Sequence, residues 1–181
     1  MNLPLMAALA LGAVLLFWVI GAYNRLIAMR NDIAQAWARV QEALDQRGAA
    51  VAPLVAALRE PMAAEQGALD TWQAAHAEAV AAASAMAAQP VNQQHAQAWV
   101  VAEGVLGAAA SRVLALLEQQ ADVQHQDPVA ALTATWRDAQ ARLPFARQNF
   151  NEVAGAYNEA VDAFPTHLVA RGFGLSRAGL I

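Results

Sequence analysis

Residues 3–22 read LPLMAALALGAVLLFWVIGA, and residues 23–44 continue YNRLIAMRNDIAQAWARVQEAL. The first block is apolar throughout, with Gly and Pro its only interruptions, and no side chain from Met1 to Asn24 is charged. At a rise of ~1.5 Å per residue, twenty such residues span roughly the 30 Å hydrocarbon core of a bilayer. Trp18 and Tyr23 fall at its C-terminal edge, where amphipathic rings favour the membrane interface. Arg25 and Arg30 follow, and no basic residue precedes the block. That bias puts the N-terminus outside and the rest of the chain in the cytoplasm. A cleaved signal peptide is the competing reading. It fits less well: the basic n-region is missing, the apolar stretch is long, and Phe17, Trp18, Val19 and Ile20 crowd the place of a small-residue cleavage site. A soluble core helix fits less well still, because the run is apolar on every face.

The second block changes period. Leu26, Ile33, Trp37, Val40 and Leu44 recur at spacings of three and four, the stripe of a helix with one buried face. The pattern repeats three times. Val55, Leu58, Met62, Leu69, Trp72 and Met86 form a second stripe. Trp99, Leu106, Val113 and Leu117 form a third, and Leu132, Trp136, Leu143, Phe150, Val153, Tyr157 and Phe164 a fourth. Each stripe carries one Trp, read as core packing. Turn signals at Gly48–Pro53, Gln89–Pro90 and His125–Pro128 separate them. The first break is placed at Gly48–Pro53, although the period also runs on through Val51, Leu54 and Leu58 to Pro61.

The chain has 181 residues and a net charge of -4, with 58% hydrophobic and 14% charged residues. Ala, the strongest helix former, is its commonest residue, and no strand-like alternation occurs. The fold expected is all-α: an N-terminal transmembrane helix (1–22), an antiparallel four-helix bundle (23–165) and a juxtamembrane or bundle-capping tail (166–181). Antiparallel helices return the tail to the bilayer. There, Arg171 and Arg177 mixed with apolar groups suit an anionic lipid surface. Alternatively, Leu168, Val169 and Phe173 cap the open end of the bundle.

Two stretches carry a family resemblance. The first is Tyr23-Asn24-Arg25-Leu26-Ile27-Ala28-Met29-Arg30-Asn31, followed by Ala36-Trp37. The second is Ala146-Arg147-Gln148-Asn149-Phe150-Asn151, continuing through Val153, Tyr157-Asn158, Val161 and Phe164-Pro165 to Leu168, Ala170 and Phe173-Gly174. In order and spacing these resemble the LemA family of bacterial membrane proteins. The middle departs from the family pattern: in residues 47–55 the second basic residue, the acid and the Asn are gone. Glu65 sits where the family has a Glu slightly further on. The resemblance implies a single-pass bacterial inner-membrane protein with a helical bundle, and implies no catalytic reaction.

Polar residues in phase with the stripes need partners if buried. Arg30, Glu65 and His76 are such residues, and Asn151 and Asn158, seven apart, lie adjacent to the Phe150 and Tyr157 seam. The expectation is a polar layer in which Glu65 pairs with Arg30 or Arg147 and fixes helix register; exposure at a seam edge and ligand contact are the alternatives.

Little in the chain points to chemistry. It has no Cys, which excludes disulfides, thiolate metal sites and a Cys nucleophile. It has no Lys, which excludes a phosphate-binding Gly-Lys loop. His76, His95, His125 and His167 show no metal-binding spacing, and the Asp122, His125 and Asp127 cluster reads as a polar turn. Ser84, Ser111 and Ser176 offer no nucleophile–base pair. Scattered Arg in an acidic chain argues against nucleic acid. No cofactor, metal or enzyme activity is expected. The partners expected are the bilayer and a membrane or cytosolic protein, the latter against the low-charge Ala74–Ala88 stretch. The role expected is a non-catalytic scaffold or adaptor, with a periplasmic ligand-sensing bundle as the alternative.

Overall fold

Ala-rich sequence with few β-branched residues favours helix at almost every position, and the computed structural model, which describes residues 3–181, is helical in every regular element. These are α1 (Leu3–Leu58), a 3-10 turn (Ala63–Glu65), α2 (Gln66–Ala88), α3 (Gln93–Glu118), α4 (Ala121–Gln124), α5 (Asp127–Asp162) and α6 (Thr166–Gly172). No strand occurs among the described residues.

Helix α1 has two halves of different character. Its first eighteen residues are exposed or nearly so, with Leu9, Leu11, Val14, Leu16 and Phe17 all bare. From Leu26 onward one stripe is buried: Leu26, Ile33, Trp37, Val40, Ala50, Leu54 and Leu58. The N-terminal half is long and apolar enough to cross a membrane. Helix α3 also meets that test by length and composition. However, its apolar stripe is buried and it carries a buried charge, Glu103, so it is a core helix.

The break expected at Gly48–Pro53 does not occur: α1 runs through both residues and ends at Leu58. Pro53 removes one backbone donor but lies on the exposed face, where water can take the freed carbonyl. Gly48 marks a close approach, since a Cβ there would lie 3.1 Å from His76 Cε1 on α2. The chain turns instead around Pro61. The turn is stapled by Arg59, which donates to Gln66, Asp70 and Gln73, while the Gln66 amide donates to the Arg59 carbonyl at 2.6 Å.

Helix α5 lies along α1 in the opposite direction: Arg39 donates to Asn149, and Arg142 donates to Gln46. Helices α2 and α3 form a hairpin across residues 89–92, where the Asn92 side chain caps α3 by accepting from the Gln94 and His95 amides. The interior divides into two apolar clusters. The one nearer the apolar half of α1 holds Trp37, Trp99 and Phe150, with Trp37 edge-on to the other two. The distal one holds Trp72 and Trp136, also edge-on. All four Trp residues expected in the core are buried there.

Candidate functional site

Between the two clusters lies a polar layer. Arg47 follows Val40 and Ala43 on the buried stripe of α1 and is 4% exposed; Glu103 follows Trp99 on α3 and is 9% exposed. The guanidinium grips the carboxylate with both terminal nitrogens, Nη1 to Oε2 at 2.8 Å and Nη2 to Oε1 at 2.6 Å. Nη1 also donates to Gln140 Oε1 on α5 at 2.9 Å. Bidentate, charge-assisted bonds of this kind are among the strongest available to side chains. His76 supplies the contribution of α2, against Gly48. Burial lowers the His76 pKa first and the Arg47 charge lowers it further, while Glu103 opposes both. Both effects favour the neutral imidazole. A cleft of about 280 Å³ opens onto this layer, lined by Gln41, Asp45, Arg47, His76, Ser84 and Glu103. Arg47 Nε and His76 Nδ1 are buried without a partner in the protein.

The polar layer expected from the sequence is thus present with different members. Glu65 sits in the 3-10 turn at the distal end, half-buried. Arg30 lies at the middle of α1, near the other end of the helical body, so some twenty-eight residues of helix, about 40 Å, separate the two levels. Arg147 stacks over the Trp99 ring at 5.3 Å rather than on an acid. Pairing of Glu65 with either Arg is overturned by this geometry. The phase of Arg47 with Val40 and Ala50 was the available signal, masked by the turn reading of Gly48.

Asn151 and Asn158 do not join a seam between helices. Two turns apart on α5, they pin the extended residues 175–181. Asn158 Oδ1 accepts the Ala178 amide at 2.7 Å and Nδ2 donates to the Ala178 carbonyl at 3.1 Å. Asn151 does the same for Ile181, accepting at 2.8 Å and donating at 2.5 Å. A primary amide offers one acceptor and two donors, so it can replace a strand neighbour for an isolated extended residue. Between them the Tyr157 hydroxyl donates to the Ser176 carbonyl at 3.0 Å; burial raises its pKa, opposed by nearby Arg30. Leu175, Ala178 and Ile181 are buried by this docking. Gly179 fits only as Gly, because a Cβ would come within 2.9 Å of the Gln93 Cα. Gly174, at φ +66°, makes the bend that starts the segment.

The remaining motif residues have plain positions. Tyr23 stacks on Phe173 with ring centroids 4.7 Å apart. Asn24, Asn31 and Phe164 are exposed, Pro165 is half-buried, and Trp37 is buried. The His125 ring takes the Ala121 carbonyl at 2.7 Å, which leaves the Asp122–Asp127 turn as a local hydrogen-bonded turn. No group of metal-binding side chains comes together among the described residues.

These features define an all-helical protein with an apolar N-terminal helix able to cross a membrane and a helical body closed by its own C-terminal segment. The LemA family model matches residues 36–180, most of the chain, and the protein belongs to the LemA family. The match begins at Ala36, so Tyr23 to Asn31 lie before it. No curated relative matches the chain.

Proposed function

We propose that the protein is a single-pass protein of the bacterial inner membrane. Its antiparallel four-helix bundle, formed by the second half of α1 with α2, α3 and α5, acts in the cytoplasm as a non-catalytic scaffold or adaptor. The observation that carries this reading is the continuity of α1: a bare apolar half passes without a break into the half that bears the core stripe. Arg25 and Arg30 just beyond the apolar half support a cytoplasmic body. The outer face of the α2–α3 hairpin supports a protein partner. Val101 and Val105 are exposed there, in an open groove lined also by Ala81, Ala82, Ala98 and Ala102 and carrying Glu78 as its charged group.

The test is a pair of C-terminal reporter fusions, one active only in the cytoplasm and one only in the periplasm. A cytoplasmic signal is expected. A periplasmic signal overturns the orientation. It then favours a second reading, an outward-facing ligand-sensing bundle, for which the cleft beside Arg47, His76 and Glu103 is the supporting observation.

A further inference from the structure

The end of the helical body nearest the apolar half of α1 carries large hydrophobic side chains that the fold leaves mostly exposed. Phe164 is 80% exposed, Leu168 57% and Phe173 55%, whereas Val169 between them is 5% exposed. Val169 and Ala170 dock α6 onto the body; Phe164 and Leu168 are exposed, and Phe173 keeps more than half its surface exposed while one side of its ring meets Tyr23. Exposed aromatics and Leu clustered on one short helix and its two flanks are uncommon on a surface facing only water.

Their level along α1 is fixed by two observations. The register in which Arg39 meets Asn149 and Arg142 meets Gln46 brings the end of α5 level with the residues just after Ala22. Independently, the Phe173 ring rests on Tyr23. If Leu3–Ala22 fills the hydrocarbon core, Tyr23 stands at its boundary, and Phe164, Leu168 and Phe173 stand there with it. At this level Arg25, Arg30, Arg171 and Arg177 stand against Asp32, Glu159 and Asp162, so the basic groups are one in excess. Arg25, Arg30 and Arg171 form no ion pair among the described residues, and Arg177 is matched by Asp162 at 3.3 Å. Residues 166–181 contain no Asp or Glu.

We infer that α6 is a second membrane contact: Phe164, Leu168 and Phe173 enter the interface of the bilayer that holds α1, and Arg25, Arg30 and Arg171 face anionic headgroups. Charge complementarity and continuity with the bare apolar helix select the bilayer over a protein surface. Phenyl and Leu side chains bury in the headgroup–acyl boundary while Arg stays with phosphate. The consequence is a body held by two points rather than hinged on one helix, with the orientation of its α2–α3 face set relative to the membrane plane. The inference rests on the membrane-spanning reading of Leu3–Ala22.

The chain has no Cys, so single substitutions carry a unique label. The full chain is reconstituted in nanodiscs of phosphatidylcholine with or without phosphatidylglycerol. An environment-sensitive fluorophore is attached at Phe164→Cys, Leu168→Cys, Val14→Cys or Gln119→Cys in turn. Lipids brominated near the headgroup or deep in the chains serve as quenchers. The expected result is deep quenching at position 14, shallow quenching with a blue shift at 164 and 168, and neither at 119. The shifts at 164 and 168 should shrink without the anionic lipid. Water-like emission at 164 and 168 with quenching at 14 overturns the contact. A blue shift without lipid quenching means that protein covers the site and overturns it too. An undiminished effect in neutral lipid overturns the role of the Arg residues. Absence of quenching at 14 overturns the membrane-spanning reading itself.

Discussion

Arg47 satisfies its two terminal nitrogens and leaves Nε bare, so its charge is matched but its hydrogen bonding is not complete. The buried pair couples α1 to α3, and Gln140 adds α5. Removing Glu103 alone strands a buried guanidinium, and Glu103→Leu should cost about 3–5 kcal/mol in urea unfolding. Replacing both, Arg47→Leu with Glu103→Leu, should recover most of that loss, because the desolvation penalty disappears with the charges. A double variant as weak as the single one would show that the pair itself, and not the stranded charge, dominates. His76, facing Arg47 and Glu103, adds a pH dependence. Its folded pKa lies below the ordinary imidazole value of about 6.5. The unfolded chain therefore binds a proton more readily, and this stability is present above that value and lost as pH falls toward the folded pKa. Comparing wild type with His76→Gln by thermal unfolding between pH 7 and pH 5 should show the steeper decline in wild type.

At the scale of elements, the helices and their buried faces were legible because a 3.6-residue period is local information: each stripe is visible within a dozen residues. The breaks were less legible. Gly48 has the same one-letter signature whether it ends a helix or lets His76 approach, and only the position of α2 tells them apart. The turn falls at Pro61, where Arg59 and Gln66 supply a staple that no turn motif announces. The docking of residues 175–181 was hidden for a different reason. Asn158 and Asn151 reach partners 20 and 30 residues away in an extended segment without periodicity. Both Asn residues stood out as polar groups near an apolar seam, but their partners are backbone atoms, which carry no sequence signal. Asn158→Ala strands the buried Ala178 amide and carbonyl and should cost about 1–3 kcal/mol. Hydrogen exchange should localise the effect, with protection lost across 175–181 before any change in α2. Unchanged protection there would mean that Leu175, Ala178 and Ile181 hold the segment by burial alone.

At the scale of the whole molecule, the polar layer separates two apolar clusters that share helices but few side-chain contacts. Trp37, Trp99 and Phe150 form one aromatic group, and Trp72 and Trp136 the other. The indole N–H of each Trp lacks a protein acceptor, so these rings are held by burial and edge-to-face packing. Such packing contributes about 0.5–1.5 kcal/mol per pair beyond the area buried. Double-mutant cycles can therefore read the division directly. Trp37→Leu with Trp99→Leu, rings 5.3 Å apart, should show a coupling of that size. Trp37→Leu with Trp72→Leu crosses the layer between groups with no common partner, and its effects should add within about 0.5 kcal/mol. Coupling of equal size in both cycles would mean that the interior responds as one core, with the Arg47–Glu103–Gln140 layer transmitting strain. Additivity across the layer would instead make each cluster an energetic unit of its own, one beside the apolar half of α1 and closed by the C-terminal segment, the other at the far tip.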